Sequence, residues 1–275
     1  MKGMHGWHEH VPEEAIGGLV IVHGIAEHAS RYRPILPVLG RQRIACFAYD
    51  QRGHGHHPGR RTDIEDFAHF ATDLEEVGQA LRLRFPAMPL FVWGHSMGSV
   101  IVTLAAIDRL KWASGIITTG HALHALPKLD GVTGAAIKLA ARLAPRARIS
   151  LGVDGTKLTQ VEEAQREHME DPLVPRSASL RLLAGFAAAC ATCARSLPAI
   201  DHPWLAVHGE ADTVCPPSGS STLVAQLGSA DKTLVTYPGL LHEVHNENEA
   251  ARTELFELLS RWIGARAGYS LKSFE

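Results

Sequence analysis

Six short apolar runs are spaced along the chain: AIGGLVIVHG (15–24), IACFAYD (44–50), LFVWGHS (90–96), GIITTG (115–120), PWLAVHGE (203–210) and KTLVTYPG (232–239). Their apolar positions are mostly continuous rather than alternating, as in strands covered on both faces of a parallel sheet. Between the runs the period changes. Residues 63–84, 97–110 and 247–266 repeat apolar residues every three or four positions, and the last keeps Leu255, Leu258, Leu259 and Trp262 on one stripe. Strand alternating with helix predicts a doubly wound, mostly parallel α/β sheet.

One stretch breaks the alternation. From His121 to Ile200 lie about eighty residues with helical patterns near 131–144, 159–169 and 177–195, separated by Pro145, Pro172, Pro175 and Pro198. No strand pattern is evident there, and a plain loop of that length is foreign to a compact domain. The expected organisation is a core built from 1–120 and 201–275, with a helical cap, 121–200, inserted between the fourth and fifth runs.

With 45% apolar residues, 20% charged residues and a formal net charge of −2, the chain has the make-up of a folded soluble protein. It lacks the basic stripe of a general nucleic-acid binder. The opening MKGMHGWHEHVPEE has no apolar signal region, so a cytoplasmic location is expected. The longest apolar run, LLAGFAAACATCA (182–194), falls short of the about 20 residues that span a bilayer. Cys190 and Cys193 form a C-x-x-C inside an alanine-rich helical pattern, where packing rather than redox chemistry is expected. With Cys46 and Cys215 they make no disulfide framework.

Gly94-His95-Ser96-Met97-Gly98 fits G-x-S-x-G, and its context is strand, sharp turn, helix. Such a turn brings strand and helix together two residues either side of the serine, which calls for glycine at both flanks and leaves Oγ above the sheet. A serine hydroxyl needs a base, usually a histidine oriented by a carboxylate. In this architecture acid and base follow the serine, in loops at the carboxyl ends of later strands. Asp212 follows PWLAVHGE and His242 follows TLVTYPG, both where they are needed. Asp201 precedes its strand and Asp50 precedes the serine, while Glu210 stays as a second candidate acid and His245 as a second candidate base. The oxyanion donors expected are the backbone N–H groups of Met97, after the nucleophile, and Ile25, after Gly24. HEVH lacks the spacing of H-E-x-x-H, and HGHH (54–57) has no second ligand cluster and reads as a surface loop. No metal and no cofactor are expected.

Four further stretches, HGIAEHASRY (23–32), YDQRGHG (49–55), DPLV (171–174) and YPGLLHEVHNE (237–247), sharpen this reading. Together they resemble the monoacylglycerol lipase, lysophospholipase and serine aminopeptidase-like branch of the α/β-hydrolases, from about residue 18 to 265. The resemblance implies an α/β-hydrolase fold, with Ser96 as nucleophile, Asp212 as acid, His242 as base and Ile25 and Met97 as oxyanion donors. The chain departs from the pattern in three places. Ala26 replaces the second glycine of H-G-x-G-E-H, His57 stands where serine is common after R-G-H-G, and little chain precedes AIGGLV for an opening antiparallel pair.

The expected function is hydrolysis of a small-molecule carboxylic ester, such as a monoacylglycerol or lysophospholipid, through an acyl-enzyme on Ser96. An acyltransferase, a C–C bond hydrolase or an aminopeptidase would use the same three residues. For the last, Glu162, Glu163 and Asp171 are candidate holders of the substrate amine. A binding protein without catalysis would be expected to lack one of the three. In GAAIKLAARLAPRAR (134–148), Lys138, Arg142 and Arg146 recur every fourth residue beside alanine and leucine, a pattern suited to transient contact between the cap and a lipid surface.

Overall fold

The computed structural model describes residues 5–126 and 131–269, so the ends of the expected core at 1–4 and 270–275, and 127–130 of the expected cap, lie outside it. All six apolar runs form strands: β2 (Gly17–Val22), β3 (Ile44–Ala48), β4 (Leu90–His95), β5 (Ala113–Thr119), β8 (Trp204–Gly209) and β9 (Lys232–Tyr237). A short strand, β1 (His8–His10), precedes them and pairs antiparallel with β3. The sheet order is β1-β3-β2-β4-β5-β8-β9, and all pairs after the first are parallel.

The sheet is buried on both faces, which explains the unbroken apolar runs. Along β2, Val20 and Val22 join one apolar cluster, while Leu19 and Ile21 join another on the opposite face. The first cluster is completed by α2 (Ala68–Arg84), α3 (Met97–Ala106), α6 (Leu180–Ser196) and α7 (Ser218–Gln226). The second is completed by α1 (Leu36–Arg41) and α8 (Glu249–Arg266). Asn248 starts α8 by accepting the Ala251 N–H at 3.1 Å, and Ser179 starts α6 by accepting that of Leu182 at 3.2 Å.

Between β5 and β8 lie α4 (Gly131–Leu143), α5 (Glu162–Glu170) and α6. The segment also contains two strands that its sequence pattern did not predict. β6 (Arg148–Ser150) pairs antiparallel with β7 (Ser177–Ser179). Three-residue strands of RIS and SAS carry too few apolar positions to register as a period.

The helix containing 182–194 is longer than its apolar run. Leu180–Ala199 is long and apolar enough, by length and composition, to cross a membrane, so the expectation based on length does not hold. What assigns it to the core is packing. Leu182, Phe186, Cys190 and Cys193 are buried in the larger cluster, Phe186 stacks on Phe67, and Cys193 Sγ lies 3.7 Å from Val100 O. Burial pushes the Cys190 thiol up to about 12, in keeping with packing rather than redox chemistry. His54 also differs from a surface-loop reading. His56 is exposed, but His54 turns inward and bonds to Arg52 O at 2.9 Å.

Gly78 on α2 faces Trp112, whose Nε1 is fixed by Glu75 at 2.8 Å. A Cβ at Gly78 would lie 1.9 Å from the indole ring. Helix propensity alone favours alanine there by about 1 kcal/mol, whereas overpacking costs about 1–3 kcal/mol. Gly78→Ala is therefore expected to lower the midpoint of urea unfolding; a raised midpoint would mean that Trp112 yields and propensity wins.

Candidate active site

β4 ends at His95, α3 begins at Met97, and Ser96 between them has φ 54° and ψ −122°. That backbone is strained for a residue with a side chain, and it persists because its surroundings leave no alternative. The flanking glycines explain the fit. A Cβ at Gly98 would lie 2.0 Å from Val22 O, and one at Gly94 would lie 2.6 Å from Gly98 O. The Ser96 N–H donates to Thr119 O at 3.1 Å, tying the turn to β5.

Asp212 sits in the turn after β8 and His242 in the loop after β9. The Ala211 N–H donates to Leu240 O at 3.0 Å, which joins the two loops. His242 Nδ1 lies 2.6 Å from Asp212 Oδ2, while the N–H groups of Val214 and Cys215 donate to Oδ1 at 2.8 and 2.9 Å. Glu210 is instead exposed and accepts from Thr236 Oγ1 at 2.8 Å. His245 is buried and stacked on Tyr32, with Nδ1 unpartnered. Of the paired candidates, the structure thus joins Asp212 to His242. Ser96 and His242 line one cavity. Ser96 Oγ lies 4.0 Å from Cys215 Sγ, and among the described residues no hydrogen bond joins it to His242.

Burial works against the ionised Asp212, but the hydrogen bonds from His208 and His242 and the loop N–H groups outweigh it and hold the carboxyl well below its ordinary range. Burial also disfavours the His242 cation. Here the Asp212 hydrogen bond and charge, aided by Glu243 and Glu27, prevail and raise the imidazole above its usual value.

Ile25 lines the same cavity, Met97 follows Ser96 at the start of α3, and among the described residues the Ile25 N–H has no backbone acceptor. The loop carrying Ile25 is pinned by Glu27, whose Oε2 accepts the Gly24 N–H at 2.5 Å and the Tyr32 hydroxyl at 3.2 Å. Ala26 has φ 55°, which accounts for glycine being common at this place in the pattern.

Arg31 bridges Glu27 and Glu243, at 2.9 Å to the former and 2.8 and 2.9 Å to the latter. Burial raises Glu27 to about 7, with Glu243 adding and Arg31 opposing. Glu27, His95 and His245 bring ligand atoms within 4.8 Å of one another. Glu27 also accepts from Gly24, Tyr32 and Arg31, and His95 Nδ1 lies 3.0 Å from Thr119 Oγ1.

Sequence reasoning passed over this Arg31 bridge and His208. The signals were present: Glu27 and Arg31 are four apart in HGIAEHASRY, and His208 is a polar interruption of the apolar run PWLAVHG.

The family profile described as "Serine aminopeptidase, S33" matches residues 13–249. The monoacylglycerol lipase of Mycolicibacterium smegmatis is 33% identical over 237 residues, 85% of this chain and 83% of its own. The monoglyceride lipase of Rattus norvegicus is 31% identical over 252 residues, 90% of this chain and 82% of its own. Among solved structures, a monoacylglycerol lipase from Paleococcus ferrophilus aligns with TM-score 0.82 and 26% identity, covering 94% of this chain and 98% of that one. A soluble variant of the Saccharomyces cerevisiae monoglyceride lipase, in complex with a substrate analog, aligns with TM-score 0.86 and 26% identity, covering 96% and 92%. The chain belongs to the serine aminopeptidase S33 family and has the α/β-hydrolase fold.

Proposed function

We propose that the protein is a monoacylglycerol lipase-like hydrolase of carboxylic esters acting through an acyl-enzyme on Ser96. The observation that carries this reading is the 2.6 Å contact between His242 Nδ1 and Asp212 Oδ2 at the wall of the cavity that Ser96 lines. The kinship with monoacylglycerol lipases and with lipase structures supports the ester.

In this reading Ser96 Oγ attacks the ester carbonyl carbon and passes its proton to His242 Nε2. The N–H groups of Ile25 and Met97 receive the oxyanion. Asp212 holds the imidazole and stabilises its cation without taking the proton. The imidazolium then protonates the departing alkoxide. Water, deprotonated by the same nitrogen, attacks the acyl carbon, and collapse of the second tetrahedral species frees the acid and restores Ser96. Substrate binding tightens the approach of Oγ to Nε2, as is common when catalytic hydrogen bonds are long in the free enzyme.

Residues 121–200 act as the cap, with Leu151, Val153, Leu158, His168 and Val174 closing over the serine. The cavity beneath measures about 50 Å³, well under the roughly 300 Å³ at which ligand sites begin. A long acyl chain therefore enters only after this wall moves.

The cavity also argues against the aminopeptidase alternative. Asp171 is bonded to His28 at 2.7 Å and Glu163 lies 3.5 Å from Arg166, and none of Glu162, Glu163 and Asp171 lines the cavity. The carboxylates that do, Glu27 and Glu243, are both held by Arg31.

Ser96→Ala is expected to lower kcat for p-nitrophenyl butyrate by about 10⁶ and Asp212→Asn by about 10⁴. Retention of most turnover by purified Ser96→Ala would sink the assignment. The pH dependence has a defined sign. A raised His242 keeps its proton to higher pH, so kcat/KM of the wild type rises through an acid limb above the usual imidazole value of about 6.5. Removing the Asp212 charge should move that limb down in pH; an unmoved limb in Asp212→Asn would contradict the pairing.

A second expectation concerns the cap surface. Leu139 and Leu143 on α4 are 55% and 78% exposed, and Ile149 on β6 is 46% exposed. They accompany Lys138, Arg142 and Arg146, a combination suited to an anionic lipid surface. Leu143→Glu should weaken co-sedimentation with anionic vesicles several-fold, and absence of any wild-type binding would remove lipid contact from the account.

A further inference from the structure

Asp212 is held by two imidazoles. Besides His242, His208 brings Nε2 to 3.1 Å from the same Oδ2 and to 2.9 Å from Cys215 O. Both partners are acceptors, so Nε2 must carry a proton and donate to each. The other ring nitrogen, Nδ1, lies 2.7 Å from Ser220 Oγ on α7, and that hydroxyl can both donate and accept. His208 and Ser220 are fully buried, and His208 does not line the cavity. Two imidazoles on Oδ2 and two loop N–H groups on Oδ1 fill the acceptor positions of the carboxylate.

We propose that His208 is a positioning residue for the hydrolytic reaction: its Nε2–H fixes the carboxylate plane of Asp212 and draws off part of the negative charge that would otherwise fall on His242. The inference rests on the roles proposed above for Asp212 and His242. Its chemical content is competition. Each donor on Oδ2 weakens the hold of that oxygen on the other, so His208 limits how strongly the His242 cation is stabilised. Too strong a hold would keep the imidazole protonated and idle as a base near neutral pH; too weak a hold would let it turn.

The groups facing His242 are Asp212, His95 with its ring centroid at 4.7 Å, His245, Glu243 and Glu27, the last two shared with Arg31. A change at His208 leaves all of these in place.

The test uses two amides in the full chain. In His208→Gln the amide nitrogen stands as many bonds from Cα as Nε2 and can still donate to Asp212. In His208→Asn it corresponds to Nδ1 and reaches only towards Ser220. With p-nitrophenyl butyrate, His208→Asn should shift the acid limb of kcat/KM upward by about half a pH unit. Its loss should fall on kcat with KM unchanged, and His208→Gln should keep the wild-type limb. A limb shared by wild type and both variants would overturn the proposal, as would equal shifts in both. If His208→Asn does not fold, ¹⁵N-histidine spectra of the wild type decide, with the signal assigned through its loss in His208→Gln. Nε2 of His208 is expected as a protonated nitrogen, and an unprotonated one overturns the inference. Ester turnover surviving in Ser96→Ala would instead remove the proposed relay and this inference with it, whereas a wild-type limb indifferent to residue 208 removes His208 alone.

Discussion

The hydrogen bond between Asp212 Oδ2 and His242 Nδ1 is the contact on which the rest of the site depends. It places an ionised carboxylate, 5% exposed, against an imidazole that is 2% exposed. An unpaired charge there would cost several kcal/mol, so the local fold is built to surround it with donors. The turn after β8 presents two backbone N–H groups, the strand itself presents His208, and the loop after β9 presents His242. The parallel sheet matters because it brings the ends of β4, β8 and β9 to the same edge. Residues 96, 212 and 242 are then neighbours without any contact in sequence.

A second buried charge system lies behind the oxyanion loop. Arg31 holds Glu27, which pins Gly24, and Glu243, which follows His242 in the chain. One guanidinium thus couples the loop that carries Ile25 to the loop that carries His242. The segment between β5 and β8 is tied to the same loops. The Glu243 N–H donates to Leu158 O at 2.7 Å, Glu247 accepts from Gln160 N–H at 3.0 Å, and His28 meets Asp171 at 2.7 Å. These contacts join that segment directly to the loop carrying His242.

Much of this was legible in the chain because the governing signals are local. Continuous apolar runs marked the six main strands, and a serine between two glycines at a strand end marked the elbow. Chain order then brought Asp212 and His242 into consideration. The remainder depends on tertiary neighbours. Strands β6 and β7 are three residues each and gain their identity from pairing with one another. The apolar run at 182–194 understated its helix, since Leu180 and the turn at Leu197–Ala199 extend it and packing rather than length assigns it to the core. His54 turns inward because the chain folds it against His23 and Phe70, which no spacing rule encodes. His208 looked like an ordinary strand residue until the turn placed Asp212 within hydrogen-bond reach of its Nε2.

The central claim is that the Asp212–His242 pair makes one hydroxyl, that of Ser96, reactive. Timed labelling with a fluorophosphonate, followed by peptide mapping, tests it most directly. The account predicts modification of Ser96 in the wild type and a rate lower by orders of magnitude in His242→Ala. Modification at another residue, or equal rates in the two proteins, would contradict it.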